Sequence, residues 1–187
     1  MAPSHAAVLA ATRAWLERAV IGLNLCPFAK AVLAKGQVHF AVTDADSAAQ
    51  VLHDLVAELH ALVACDADER ETTLLVIPYG MQQFLDFNGV VAGGERLIRK
   101  KGYEGVIQLA SFHPDYCFAD LDGGDMANFS NRSPYPTLHL LREAGVERAV
   151  QAFPNPESIY GANIRTLRAL GPEGWAALNG GVDHQSR

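Results

Sequence analysis

Thr72-Thr73-Leu74-Leu75-Val76-Ile77 is an unbroken apolar run with β-branched residues at both ends, closed by Pro78-Tyr79-Gly80. A run this short without polar alternation fits a central strand covered on both faces. A strand covered on both faces needs helices on both sides. The flanking sequence supplies candidates. Asp44–Ala64 repeats Ala48, Leu52, Leu55, Leu59 and Leu62 at helical spacing, with Asp46 or Ser47 as cap. Gln82–Lys101 carries a second stripe through Phe84, Phe87, Val91, Gly94 and Ile98, and Gly102 is placed to end it. Gly94 lies in that stripe, where it allows close packing on a sheet; a helix break near Gly93 is the competing reading.

Farther out, Gln37–Thr43 alternates as a half-buried strand, with Val38, Phe40 and Val42 on one face. Val106–Ser111 forms a third strand. Ser4–Val20 is a helix with Val8, Ala11, Trp15 and Ala19 on one stripe, and Pro27 opens a short helix through Leu33. After residue 136 the chain reads as helical. Pro134 or Pro136 starts a helix stopped by Gly145, Val146–Phe153 forms another, and Asn155-Pro156 opens one through Leu170. A short turn spans Pro172–Leu178. Residues 1–178 are expected to form one domain, and the polar residues 179–187 a disordered tail.

Strands alternating with helices favour an α/β fold. The expectation is a small, largely parallel sheet of three to four strands, flanked by helices in two or three layers, with a helical C-terminal third. The alternative is an α+β ferredoxin-like or otherwise mixed sheet, with Tyr116–Ala119 as an extra strand. If the three strands are parallel, their carboxyl ends carry Thr43-Asp44, Pro78-Tyr79-Gly80 and Ser111-Phe112-His113, the edge where open α/β sheets bind ligands.

The 187 residues are 49% hydrophobic and 19% charged, within the ordinary range for globular proteins. With a net charge of −6 and a pI near 5.6, no basic face emerges, so nucleic acid is not an expected partner. The basic cluster Arg96, Arg99, Lys100 and Lys101 sits at a helix C-terminus, where it complements the helix dipole. No apolar run reaches the length of a membrane span, and the N-terminal region lacks a signal-peptide pattern. The chain reads as cytoplasmic. Its three cysteines, Cys26, Cys65 and Cys117, form no C-x-x-C pair.

The segment 111–136, S-F-H-P-D-Y-C-F-A-D-L-D-G-G-D-M-A-N-F-S-N-R-S-P-Y-P, carries the densest chemistry. Loops of this length are usually functional or disordered, and its aromatic content argues against disorder. His113 is a candidate general base or acid, with Asp115 or Asp120 to orient it. A His with several carboxylates also suits a divalent metal, although Asp and Gly form turns equally well, and the metal reading is not favoured. Ser130, Asn131, Arg132 and Ser133 precede an expected helix start, where free N–H groups, the helix dipole and a guanidinium fork would hold a phosphate or carboxylate. Ordinary capping explains the same residues. Tyr79 could line that pocket. Asn163, polar on the stripe between Ile159 and Leu167, ties down the loop or reaches a ligand. Cys26, before Pro27, is either a reactive thiol or an inert thiol among Leu23, Leu25 and Phe28.

Four segments together resemble a known family: Leu25-Cys26-Pro27-Phe28-Ala29, Asp86-Phe87-Asn88, Ser111-Phe112-His113-Pro114 and Asn131-Arg132-Ser133-Pro134-Tyr135-Pro136. The family is a bacterial one of similar length, catalogued as domain of unknown function 1415. The resemblance spans Trp15 to about Leu178. It implies a bacterial, single-domain protein, and brings no activity, cofactor or catalytic residue. The residues themselves suggest three functions. One is an enzyme of hydrolase or transferase type acting on a small anionic metabolite at 111–136. The others are a non-catalytic binding or regulatory module using the same pocket, and a thiol redox protein acting through Cys26.

Overall fold

The computed structural model describes residues 2–152, 155 and 157–178. Its elements run α1 (His5–Trp15), α2 (Ala29–Ala34), β1 (Val38–Val42), α3 (Ala48–Ala64), β2 (Thr72–Val76), α4 (Phe84–Lys100), β3 (Ile107–Phe112), β4 (Thr137–Arg142), α5 (Glu143–Ala152) and α6 (Glu157–Leu178). A π-helical turn, Leu16–Ile21, prolongs α1, and a 3-10 turn, Met126–Asn131, lies within the long loop. No helix among the described residues is long and apolar enough to cross a membrane.

The sheet order is β1-β2-β4-β3. Strand β1 pairs parallel with β2, while β4 pairs antiparallel with both β2 and β3. Therefore β1, β2 and β3 all run one way, and β4 is inserted against them. The α/β class with flanking helices holds, and the sheet is mixed rather than largely parallel.

Thr137–Arg142 is thus a strand, not the helix expected from Pro134 or Pro136 to Gly145. Its leucines alternate rather than spiral. Leu138 and Leu140 are fully buried in the core beneath α3 and α4, while His139 faces the opposite side, against Phe112. Pro136 can sit at the entry because only its carbonyl is needed, and that oxygen accepts from Ile77 N–H at 2.9 Å. Gly145 lies inside α5 rather than ending a helix. Tyr116–Ala119 is irregular rather than an extra strand.

Strand β2 shows why the fold has three layers. Leu75 packs into a core with Leu55, Leu59 and Phe87 of α3 and α4. Its neighbour Leu74 packs the other way, with Trp15, Leu16, Leu167 and Trp175. Burying such side chains contributes about 1.5–3 kcal/mol each. Gly94 is the close approach on the first face: a Cβ there would lie 2.8 Å from both Leu55 and Leu109. Helix α4 runs unbroken through Gly93. In α6, Gly171 takes φ +68° just before Pro172, so the chain kinks after Leu170 and then resumes helical rotation to Leu178. The expected tail, residues 179–187, and the positions of Phe153 and Pro156 lie outside the described residues.

Candidate functional site

The two ends of the 111–136 loop meet. His113 N–H donates to the Asn131 carbonyl at 3.1 Å, and Asn131 Nδ2 donates to the Ser111 carbonyl at 3.3 Å. The His113 side chain is fully buried between Phe84 and Phe87. Its Nε2 is 3.0 Å from the Met81 carbonyl, and its Nδ1 accepts from Asp115 N–H at 3.0 Å. A carbonyl only accepts and an amide N–H only donates, so the ring is the neutral Nε2–H tautomer with both nitrogens engaged. Burial lowers its pKa and outweighs the Met81 carbonyl and the Asp115 charge, which pull upward. The Met81 carbonyl belongs to a residue at φ +59°, a left-handed conformation that the His113 bond helps to hold.

Arg132 is similarly engaged. Its Nε donates to Tyr116 O at 3.2 Å, its Nη2 to Gly123 O at 2.7 Å, and its guanidinium lies 4.2 Å from the centre of the Phe129 ring. Ser133 Oγ donates to Tyr135 O at 2.6 Å, and Ser130 Oγ contacts Ala127 O at 3.1 Å. The chain after Ser133 enters β4, so the helix N-terminus assumed for anion binding is absent. Asp115 and Asp120 are exposed. Asp120 lies in a shallow acidic depression with Asp122 and Asp125, and the Asp125 carboxylate pairs with Arg168 at 2.6 Å. Among the described residues, no three His, Cys, Asp or Glu side chains come close enough to hold a metal ion.

Tyr79 and Asn163 stand apart from these residues. Tyr79 OH donates to Pro3 O at 2.8 Å, anchoring the N-terminal segment over the carboxyl edge of the sheet. Asn163 Nδ2 donates to Leu25 O at 2.8 Å, tying α6 to the turn before Cys26 rather than to the loop. The loop is instead pinned by Asn128, which the sequence reading passed over. This fully buried side chain accepts from Phe118 N–H at 3.0 Å and donates to Asp122 O at 2.8 Å.

A more enclosed and far more apolar space lies elsewhere. A cavity of about 300 Å³ sits on the sheet face opposite α3 and α4. Trp15, Leu16 and Val20 wall one side, with Cys26, Phe28, Ala29 and Val32 beside them. Its floor is the sheet, through Val38, Thr72, Leu74, Ala110, Phe112 and His139. Val146 and Ala149 of α5 cover one end, near Glu71 and Arg142. Most of this lining is apolar, as in small-molecule sites generally. The cavity borders the amino ends of β1 and β2 and reaches across the sheet to Phe112 at the end of β3, rather than opening at the Thr43-Asp44 and Pro78-Tyr79-Gly80 ends that the sequence favoured. At that edge, Tyr79 and the His5–Asp44 contact of 2.7 Å bind the N-terminal segment down.

His139 brings an imidazole to the cavity floor. Its surroundings bury most of the ring, and that burial pulls its pKa down to about 4. Part of its surface nevertheless remains accessible, which fits its place in the cavity wall. Its Nε2 is 2.6 Å from Thr72 Oγ1, and Thr72 Oγ1 donates to Leu140 O at 2.7 Å. A lone histidine between Leu138 and Leu140 on an alternating run was the signal for this position.

A scan against protein families matches residues 7–177 to the family described as Protein of unknown function (DUF1415). The chain belongs to that family. No curated protein and no solved structure matches it. The segments by which the sequence resembles the DUF1415 family fall in two places in this member. Phe87, His113 and Asn131 converge on the closure of the long loop, whereas Cys26, Phe28 and Ala29 line the cavity. Phe112 joins the two, since it lines the cavity one residue before His113.

Proposed function

We propose that this protein binds a small apolar molecule in the cavity between the sheet and α1, α2 and α5. The observation that carries this reading is the combination of an apolar space of about 300 Å³ with a part-buried imidazole in its floor. Well-packed interiors keep few voids larger than a water molecule. The segment 111–136 then acts as structure that holds β3 and β4 in register.

A hydrolase- or transferase-type enzyme acting on a small anionic metabolite at that segment draws less support. His113 would have to release Met81 or Asp115, and Arg132 would have to release two carbonyls. The thiol reading has one observation in its favour, because Cys26 is a free thiol that borders the cavity.

The test is a screen of apolar fragments by ligand-observed NMR against the wild type and Ala149→Trp, which fills the cavity from α5. Cavity ligands bind the first and not the second. At 100-fold above its dissociation constant such a ligand stabilises the fold by about 2.7 kcal/mol. A screen in which no fragment distinguishes the two proteins removes the proposal.

A further inference from the structure

We infer that the cavity takes a neutral, largely apolar molecule bearing one hydroxyl, a phenol or alcohol, whose O–H is received by His139 Nδ1. This rests on the cavity being the binding site.

The Thr72 hydroxyl has a single hydrogen. The Leu140 carbonyl can only accept, so that hydrogen lies between Thr72 Oγ1 and Leu140 O. Thr72 Oγ1 must then accept from His139, which places the ring proton on Nε2. Nδ1 is left as a bare acceptor with no hydrogen-bond partner among the described residues. Among those residues, no enclosed side-chain nitrogen or oxygen lacks a partner, so Nδ1 borders open space. The space beside His139 is the cavity. A ligand that reaches this atom must bring a donor, because leaving a buried acceptor unmet is unfavourable.

The charges at the rim argue against anions. Arg142 uses its guanidinium on the backbone: Nε donates to Arg70 O at 3.1 Å, and Nη2 to Leu62 O and Cys65 O at 2.6 Å each. Glu71 adds a carboxylate, already facing Arg148 at 3.4 Å. The imidazole stays neutral at pH 7 because burial holds its pKa near 4. A carboxylate would therefore lose its water beside the Glu71 charge and an imidazole nitrogen that offers no N–H, with only the Nη1 group of Arg142 outside those backbone bonds to offset the loss. At about 30 Å³ per water-sized group, the cavity of about 300 Å³ holds about ten non-hydrogen atoms.

The experiment compares 4-propylphenol, 4-propyltoluene and 4-methylbenzoate, each of about ten non-hydrogen atoms, by calorimetry on the wild type, His139→Leu and Ala149→Trp. The expected result is a phenol-to-toluene affinity ratio about ten-fold lower in His139→Leu than in the wild type. Benzoate should bind none of the three proteins. A second measurement needs no variant at His139: in wild-type protein the ¹⁵N resonance of His139 Nδ1 shifts with the phenol and not with the toluene. An unchanged ratio with an unmoved resonance overturns the hydroxyl assignment and leaves the cavity reading standing, as does benzoate binding as tight as the phenol. Failure of both neutral probes to bind wild-type protein, or equal binding to Ala149→Trp, overturns both.

Discussion

His139 Nε2 lies 2.6 Å from Thr72 Oγ1 across the β2–β4 pair, two positions off the register that sets Thr72 opposite Leu141. The diagonal contact joins the two strands whose antiparallel pairing makes the sheet mixed. It also has a pH consequence. The His139 pKa falls from 6.5 in the unfolded chain to about 4 in the fold, owing to burial. Between those values the unfolded chain holds a proton that the folded protein lacks, so stability rises with pH. Folding free energy is expected to be level above pH 7 and to decline as pH drops from about 6.5 toward 4. This one group contributes roughly 3 kcal/mol to that decline. Burial lowers the pKa of His113 in the same direction. Urea denaturation at stepped pH checks this, and His139→Leu should flatten the decline.

His113 gives a second prediction, on stability alone. Replacing it with Leu leaves the Met81 carbonyl and the Asp115 N–H without their partner, the fully buried imidazole, in a part-buried setting. The expected loss is about 2–4 kcal/mol, read as a lower urea midpoint at unchanged slope. Bound ligand should restore part of it by mass action if the cavity is the binding site.

The sequence made the two-sided burial of β2 legible because Leu74 and Leu75 left no polar face. It also placed Gly94 correctly as a close approach. Strand β4 was hidden because four leucine-rich residues between two prolines and a glycine suit a helix as well as a strand. Only pairing with β2 and β3 decides between them, and that pairing is non-local. The loop's chemistry was ambiguous in the sequence for a related reason. His, Asn and Arg side chains can serve ligands or backbone, and the composition does not say which. Here Asn128 and Arg132 satisfy carbonyls that the irregular chain would otherwise leave unpaired. The cavity had no local signal, since its walls come from α1, α2, α5 and all four strands.

Arg132 separates a structural loop from an anion site. Arg132→Ala removes donors to Tyr116 O and Gly123 O and the contact with Phe129, which should cost about 1–2 kcal/mol. Hydrogen exchange should quicken through residues 115–125, while β3 and β4 stay protected. Millimolar phosphate should leave the wild-type Tm unchanged. Stabilisation by phosphate that disappears in Arg132→Ala would return the anion reading to this loop.

Cys26 offers a direct view of the cavity. All three cysteines are free and partly accessible, but Cys26 alone lines the cavity, while Cys117 donates toward the Phe118 and Leu121 carbonyls and Cys65 toward Glu69. Burial and the Glu69 carboxylate also raise the Cys65 pKa, which lowers its thiolate fraction at neutral pH. A small neutral probe such as N-ethylmaleimide should therefore label Cys26 with a rate that falls when 4-propylphenol is present. Labelling of Cys65 and Cys117 should not change. Peptide mass spectrometry resolves the three sites in one time course. Equal protection at all three would mean that the phenol acts on the protein as a whole, and no protection at Cys26 would mean that the cavity stays empty.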